Sequence, residues 1–397
     1  MSGNKVLVAG ASIAGPALAH WLQRRGAEVT VVERAPGLRP GGQAVDARGI
    51  AKEVIKRMGL DAAVRAARTD TAGAYTVDAD GTVLETFSAE DDGGDGYIAD
   101  IEILRGDLSQ VLYDDTRDDV EYRFGDRIAE VAQDADGVDV TFAGGDRRRF
   151  DLVIGADGLH SALRATVFGP RERFVRHLGL VLAFYSVPNE FGIDRWMLDH
   201  QHEGRSAGLR PLKDATRAMA MLSFPADGFD VDHRDIEAQK RLLRERMAGL
   251  GWLTPRILEH LDDTPDFYLD QVAQVVMDRW SAGRVGLIGD AAFCSSPMSG
   301  GGTGLALVGA YLLAGELATA GWEPEAAFAR FEARMRPFVE ANQEIGRLHV
   351  QSLTGAAAAE PDMEALMPLV ERAINGVELP DYAGVPDSRA SVSPAVR

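Results

Sequence analysis

The sequence is poor in cysteine, in metal-ligand clusters and in basic residues. Its one cysteine, Cys294, excludes an intrachain disulfide. No group of Cys and His residues has the spacing of metal ligands, so we predict no metal site. Only 42 Lys and Arg oppose 61 Asp and Glu, which gives a net charge of −19. This charge repels phosphate groups and anionic lipids, and it argues against nucleic acid or a membrane surface as a partner.

Long apolar runs and targeting signals are also missing. The longest apolar run, residues 305–314, ends before Glu316 and is shorter than the ~20 residues that a membrane span needs. The first residues lack the basic start and apolar core of a secretory signal. Hydrophobic residues make up 46% of the chain, enough for a sizeable core. We therefore expect a cytoplasmic globular protein, either a monomer or a homodimer.

The stretch Lys5–Glu33 predicts a buried strand, a glycine-rich turn, a helix and a second strand. The free N–H groups of the first helical turn are expected to bind a pyrophosphate. Glu33 ends the second strand, where its carboxylate can bind ribose hydroxyls. This carboxylate favours NAD or FAD over NADP, although the neighbouring Arg34 weakens the distinction, and a turn that binds nothing is the alternative. The turn has a serine at the second glycine of G-x-G-x-x-G, and its candidate ligand-binding residues are Gly10, Ser12, Ile13, Ala14 and Gly15.

A second glycine-rich stretch follows a buried strand predicted at residues 284–288. A carboxylate stands at the end of this strand, where it can accept a hydrogen bond from a polyol hydroxyl. A helix then begins in a run of small residues, and its free N–H groups can bind an anion. A ligand role and a plain glycine-rich loop fit this stretch equally well. The residues concerned are Gly289, Asp290, Pro297, Gly300, Gly301, Gly302, Thr303 and Gly304.

The pattern of elements predicts a mixed α/β (α+β) fold, in which a Rossmann-like domain is interleaved with an antiparallel-sheet domain. Buried strands far apart in sequence indicate the first domain, and short strands between residues 180 and 224 indicate the second. We expect loops at residues 35–47 and 89–96, the latter acidic and solvated, and a helix at 234–250. The predicted segments are 1–70, 100–170 and 278–320 for the nucleotide-binding domain, 71–99 and 171–277 for the substrate-binding domain, and 321–397 for C-terminal helices and a tail.

Three separated motifs together resemble a known family, the single-component FAD-dependent aromatic hydroxylases related to p-hydroxybenzoate hydroxylase. Within this family, segments 41–48 and 105–108 are most similar to the branch of tetracycline-inactivating and actinobacterial polyketide monooxygenases. The resemblance covers residues 5–349. Its motifs are GASIAG with Glu33, Gly155-Ala-Asp-Gly158, and Gly289-Asp290-Ala-Ala with Pro297 and Gly300-Gly-Gly-Thr.

The resemblance implies FAD as the cofactor, with a role for each motif. Gly10 to Gly15 and Glu33 would hold the ADP half. Arg105 would contact the pyrophosphate or the ribityl chain, and Asp290 would bind a ribityl hydroxyl. Gly301 to Gly304 would approach the flavin ring.

Other positions are implied less directly. Gln43 to Arg48 would lie along the isoalloxazine. Asp157 belongs to a motif that is linked to both FAD and the reducing nicotinamide. Phe293 and Gly309 depart from the family pattern, where His and Asp are common, and neither is expected to take part in the chemistry.

The resemblance also implies the reaction. NAD(P)H would bind transiently and reduce FAD, O2 would add at flavin C4a, and the hydroperoxide would hydroxylate an aromatic or polycyclic, polyketide-like small molecule. The cofactor does this chemistry, so we assign no catalytic side chain. Baeyer–Villiger insertion, antibiotic-inactivating oxygenation of a tetracycline-like compound, and a non-catalytic flavoprotein that sequesters a small molecule are the alternatives. Halogenation is disfavoured because no W-x-W motif is present, and a dehydrogenase would need only the first motif.

Several side chains of the second domain have two interpretations. Five polar residues could act on a substrate, but structural roles are favoured: His177, His200, His202, Arg195 and Arg210. A set of apolar residues fits a substrate pocket and an ordinary core equally well: Phe174, Phe184, Tyr185, Trp196, Met197, Met219 and Met221. Cys294 is predicted to be a buried, unreactive thiol.

Overall fold

The computed structural model describes residues 3–232, 235–356 and 363–382. Its strands are β1 (Lys5–Ala9), β2 (Glu28–Glu33), β3 (Ala44–Asp46), β4 (Gly73–Val77), β5 (Val83–Ser88), β6 (Glu102–Leu104), β7 (Glu121–Phe124), β8 (Ile128–Gln133), β9 (Val138–Phe142), β10 (Arg147–Phe150), β11 (Leu152–Gly155), β12 (Val175–Pro188), β13 (Trp196–His202), β14 (Arg205–Pro211), β15 (Arg217–Pro225), β16 (Tyr268–Val275), β17 (Ser281–Ala282) and β18 (Val285–Leu287). Its helices are α1 (Ala14–Arg24), α2 (Ile50–Met58), α3 (Asp61–Ala67), α4 (Arg105–Thr116), α5 (Ala162–Val167), α6 (Ile236–Met247), α7 (Thr254–Glu259), α8 (Asp290–Phe293), α9 (Gly302–Thr319), α10 (Pro324–Leu353) and α11 (Met363–Asn375).

A mostly parallel sheet is built around the first motif. Its order is β17-β18-β11-β1-β2-β7, and the central β1 pairs in parallel with β11 and β2. Its strands are short apolar runs because both faces of a parallel sheet are covered, and Val6, Leu7 and Val8 are fully buried. The predicted α/β fold is therefore confirmed. The carboxyl ends of β1, β2, β11 and β18 meet at one edge, where open α/β sheets bind ligands.

A second sheet has the order β16-β12-β15-β14-β13-β4-β5, and β10-β9-β8 form a smaller one. One pair in this otherwise antiparallel sheet is parallel, that of β13 with β4. These two strands are far apart in sequence, so no tight turn fixes their relative direction. Helices α6 and α7 pack on one face of this sheet, with Leu243 and Ile257 fully buried. Val350 of α10 and Met298 pack on the other face.

Two predicted loops contain more structure than expected. The segment 35–47 includes β3, which pairs with β6. The acidic run 89–96 is not simply solvated, because Lys52 of α2 holds it. Its Nζ lies 2.8 Å from Asp95 Oδ1 and 2.6 Å from Asp100 Oδ1. The sequence of an acidic run does not show which basic residue it contacts in the folded protein.

Helices close the chain and bury α9. The helix predicted at 234–250 is α6, and residues 233 and 234 lie outside the described residues, as do 357–362 and 383–397 of the predicted C-terminal segment. Helix α9 is long and apolar enough to cross a bilayer, but 78% of it is buried inside the protein. It packs between α1, α2 and α10, which explains why it is apolar on every side.

Candidate active site

A cavity of about 460 Å³ opens at the carboxyl edge of the parallel sheet. Segments from both ends of the chain form its wall. Five of the predicted site residues do not line it and lie behind the wall: Gly15, Arg48, Gly289, Gly301 and Gly304. The predicted residues that line it are Gly10, Ser12, Ile13, Ala14, Glu33, Arg34, Gln43, Arg105, Asp157, Asp290, Pro297, Gly300, Gly302 and Thr303.

The first glycine turn brings backbone to one end of the cavity. Gly10 has φ +112°, and a Cβ there would lie 2.3 Å from the Ala156 carbonyl oxygen. A Cβ at Gly15 would lie 1.9 Å from the carbonyl oxygen of Gly10. No side chain caps α1, so the N–H groups of its first turn are left for a ligand. Ser12 lines the cavity, where its hydroxyl can donate to a phosphate.

Glu33 is fixed by the backbone on both sides. Its Oε2 accepts a hydrogen bond from the Ala11 N–H at 3.0 Å, and its Oε1 accepts one from the Ala35 N–H at 2.8 Å. These bonds tie the end of β2 to the glycine turn. Each carboxylate oxygen can accept a further bond, so the group can still bind ribose hydroxyls. Arg34 lines the cavity, with its side chain exposed.

Asp157 has a structural task that sequence alone did not reveal. Its Oδ2 accepts hydrogen bonds from the N–H groups of Ala162 at 2.8 Å and Leu163 at 3.2 Å. The carboxylate therefore satisfies free N–H groups at the start of α5. Its Oδ1 is buried and has no hydrogen-bond partner among the described residues. Asp157 thus holds the turn that forms this part of the cavity wall.

The second motif meets the first motif directly. Gly289 has φ +57°, and a Cβ there would lie 2.9 Å from Ala14 Cβ at the start of α1. Asp290 opens into the cavity while protein surrounds it on its other sides. This burial raises the pKa of its carboxyl, against the lowering effects of a hydrogen bond with Cys294 and of the Arg105 charge. Burial also raises the pKa of the Cys294 thiol, which supports its interpretation as an unreactive side chain.

Arg48 holds the turn that precedes α9. Its Nη1 lies 2.9 Å from Asp46 Oδ2 and donates to the Gly300 carbonyl at 3.3 Å. Gly300 needs glycine, since it has φ +65° and a Cβ there would lie 2.8 Å from Arg48 Nη1. A Cβ at Gly302 would instead point into open space. The start of α9, which no side chain caps, therefore presents the partial positive charge of its dipole to the cavity.

One stretch of the wall falls within residues 43–48, which the resemblance places along the isoalloxazine. Its Asp46 lies on the three-residue strand β3. It pairs in register with Glu102 of β6. Burial raises the pKa of its carboxyl more than Arg48 lowers it. Sequence reasoning missed other residues of the wall, namely Leu38, Arg39, Ser109, Asp126, Arg127, His160 and Ser296. These residues lie close to the motifs in space, and the sequence does not show this proximity.

This arrangement, with two helix starts and two carboxylates around one cavity, has counterparts in known proteins. The family model described as FAD binding domain matches residues 4–344. The chain belongs to this family. FAD is therefore its cofactor, as the motifs implied.

Relatives in this FAD-binding family are similar along almost the whole chain. An uncharacterized protein of Mycobacterium tuberculosis is 46% identical over 378 residues, which cover 95% of this chain and 99% of that protein. A flavin-dependent monooxygenase of Legionella longbeachae is 37% identical over 388 residues, covering 96% and 99%. The crystal structure of tetracycline destructase Tet(55) matches with a TM-score of 0.86 and 38% identity, covering 96% of this chain and 99% of that one. The chain is a FAD-dependent monooxygenase, an enzyme that acts on a small molecule with O2.

The observed groups fit FAD in the order that its parts require. The uncapped start of α1 suits the pyrophosphate, and Glu33 at the end of β2 suits the adenosine ribose. Asp290 suits a ribityl hydroxyl. The start of α9 suits the electron-rich edge of the ring system.

The second sheet turns one face toward the turn before α9, residues 297–301, which is called the cofactor turn below. Phe184 pairs in register with Met221, and Met221 pairs with Gly208. Leu182, on the same face as Phe184, belongs to a cluster with Met298 of the turn before α9. The sheet face that points toward the cofactor turn therefore carries Phe184, Met197, Met219 and Met221.

The remaining apolar residues of the predicted pocket set lie elsewhere. Tyr185 is fully buried on the opposite face, and its hydroxyl donates to the Ile257 carbonyl at 3.1 Å. Trp196 alternates with Met197 and stacks on Tyr75 at 4.4 Å. Phe174 packs against the core of the parallel sheet. Successive strand residues point to opposite faces of a sheet, so the predicted set does not form a single pocket wall.

The polar candidates of this sheet have structural partners. His200 is buried, with its Nδ1 3.0 Å from the Val77 carbonyl oxygen. Arg195 donates to the Asp70 carbonyl at 3.1 Å. Arg210 forms an ion pair with the buried Glu102. His177 and His202 are exposed. These contacts support structural roles for His200, Arg195 and Arg210.

Proposed function

We propose that the protein is a class A flavoprotein monooxygenase that takes electrons from NAD(P)H and hydroxylates an aromatic or polycyclic, polyketide-like small molecule. We also propose the division predicted above, in which residues 71–99 and 171–277 bind the substrate. The observation that carries the proposal is the apolar sheet face opposite the cofactor turn. The similarity to a tetracycline destructase over 96% of the chain supports a polycyclic substrate.

FAD supplies the electron transfer and the activation of O2 when it is bound. The residues of the chain orient and shield it. The start of α1 and Glu33 fix the adenosine end, and Asp290 fixes the middle. The start of α9 then sets the far end of the cavity and stabilises negative charge there.

The sheet face would place the substrate and exclude water. Phe184, Met219 and Met221 offer an aromatic ring and flexible thioethers, which adapt to a flat fused-ring molecule. A dry cavity also prevents loss of the activated oxygen to water. Gly208 lets its neighbours pack closely on this face, because a Cβ there would lie 3.0 Å from Asp199 Oδ1 and 3.3 Å from Met221 Cε.

The test is a screen of NAD(P)H oxidation with phenols, naphthoquinones, anthracyclinones and tetracyclines, with product masses. We expect oxidation that a substrate accelerates, and a product that gains one oxygen atom. NMR then separates a hydroxylated ring from the ring-expanded lactone of a Baeyer–Villiger reaction. Tight binding without a change of mass would indicate sequestration and contradict the proposal.

A matched pair of variants tests the sheet face. Met221→Ala should raise KM for the substrate severalfold and leave FAD binding unchanged, since Met221 does not line the cofactor cavity. Leu84→Ala, at an exposed position of β5, serves as the control. Equal KM values for the two variants would place the substrate elsewhere.

A further inference from the structure

The C-terminal segment, defined as residues 363–382, packs on helices α2 and α9. The Tyr382 hydroxyl donates to Glu316 Oε1 of α9 at 2.8 Å. Arg57 of α2 donates to the Pro380 carbonyl at 3.3 Å. Helices α2 and α9 both begin beside the cofactor turn, so the segment spans the far ends of the same helices.

Asn342 connects this segment to the turn before α9. It lies on α10, is 1% exposed, and donates through Nδ2 to the Phe338 and Ala373 carbonyls, both at 2.9 Å. Ala373 belongs to α11. On its other side, Asn342 Oδ1 lies only 1.7 Å from the position of a Cβ on Gly301. One buried amide therefore touches both the C-terminal helix and the backbone of the cofactor turn.

A second contact leads to the same turn. A Cβ on Gly49, at the start of α2, would lie 2.3 Å from both Asn375 Oδ1 and Ile374 Cγ2 at the end of α11. The preceding residue, Arg48, donates to the Gly300 carbonyl. The end of α11 thus packs against Gly49, and its neighbour Arg48 holds Gly300.

We propose that Asn342 is a positioning residue for FAD, which links docking of the C-terminal segment to the geometry of the turn at Gly300 and Gly301. The amide donates to the Ala373 carbonyl of α11 and at the same time contacts the turn at Gly301. Docking of the segment and binding of FAD therefore stabilise each other, because coupling between two binding events is reciprocal. This inference rests on FAD binding alone and is independent of the substrate.

The first test measures FAD affinity of the full-length apoprotein by quenching of flavin fluorescence. Asn342→Ala should weaken FAD binding about tenfold, within the usual range of coupling between sites. Tyr382→Ala should weaken it in the same direction, although Tyr382 does not line the cavity. Glu340→Ala, at an exposed position of the same helix, is the control. Wild-type affinity in both Asn342→Ala and Tyr382→Ala would overturn the proposal.

The second test measures the reciprocal effect by limited trypsin digestion. Arg372 is exposed on α11 and provides a cleavage site within the segment. FAD should slow cleavage at Arg372 in the wild type, and this protection should be much smaller in Asn342→Ala. Cleavage that FAD leaves unchanged in the wild type would contradict the coupling.

A third test works even if Asn342→Ala lowers stability. Gly301 has φ −99°, which alanine adopts without strain, so the obstacle to a Cβ is Asn342 Oδ1. Gly301→Ala should therefore weaken FAD binding. The double variant with Asn342→Ala should bind FAD about as well as Asn342→Ala alone, because the collision is gone. Independent, multiplying losses would show that the two residues do not act together.

Discussion

At the scale of single residues, the two departures from the family pattern prove to be in contact. Phe293 is 1% exposed, and its ring centre lies 4.7 Å from that of Trp280. A Cβ on Gly309 would lie 3.4 Å from Phe293 Cζ. The ring of Phe293 thus fills space that glycine leaves open in α9. In this protein the two positions therefore form an apolar contact.

This contact predicts non-additive effects of substitution. Gly309→Asp should lower the free energy of unfolding by about 3 kcal/mol, since it places a carboxylate among aromatic rings. Adding Phe293→His should restore part of the loss, because a histidine can pair with the carboxylate. Urea unfolding at neutral pH measures both effects. Gly309→Ala, whose Cβ would make only ordinary contacts, is the size control, and equal losses in the single and double Asp variants would contradict the explanation.

The buried pair of Glu102 and Arg210 predicts a dependence on pH. Burial alone raises the pKa of Glu102, but Arg210 and the hydroxyls of Thr69 and Thr71 lower it below its usual value. Folding therefore favours the ionised carboxylate. Its contribution to stability is present above the usual pKa and is lost as pH falls through the lowered one.

Glu102→Gln should accordingly destabilise the protein by about 3 kcal/mol at neutral pH, because the charge of Arg210 then lacks its partner. The difference from the wild type should shrink as the solution is acidified toward the lowered pKa. Urea unfolding at several pH values checks this, with Glu85→Gln at an exposed position of β5 as the control. A difference that stays constant with pH would show that the charge of Glu102 is not responsible.

At the scale of elements, regular local patterns were predictable and contacts between distant segments were not. The unit β1-α1-β2 was predicted because an apolar run, a glycine turn and a helix each leave a local signal. Most of the predicted cofactor residues line the cavity for the same reason. β3 carries Asp46 but is held by pairing with the distant β6. Likewise, β4 and β13 leave no local sign that they pair in parallel.

The contact of the acidic run with α2 was also not predictable from a local pattern, and it can be tested. Lys52→Met should leave Asp95 and Asp100 without their shared cation, so the two carboxylates repel each other and the run loosens from α2. Hydrogen exchange of residues 91–100 should become faster, while exchange in the parallel sheet stays the same. Lys56→Met, at an exposed position of the same helix, is the control. Unchanged exchange in this run would mean that its other contacts, such as those of Arg65 with Asp100 and of Arg48 with the Gly96 carbonyl, are enough to hold it.

At the scale of the whole molecule, the cofactor turn and the apolar sheet face form opposite walls of one region. Met298 joins them, because it precedes Gly300 and packs against the cluster that contains Leu180 of β12. The proposed substrate wall is therefore complete only when the turn before α9 is ordered. If FAD orders this turn, then FAD and substrate should bind in sequence and not independently.

This order predicts a pattern of thermal stability. FAD should raise the Tm of the apoprotein, since a ligand at 100 times its Kd adds about 2.7 kcal/mol to the free energy of unfolding. A substrate from the oxidation screen should raise the Tm further when FAD is bound, and should have little effect on the apoprotein. Differential scanning fluorimetry with each ligand alone and with both measures this. A substrate that stabilises the apoprotein as much as the FAD-bound protein would have its site outside the wall that the cofactor turn completes.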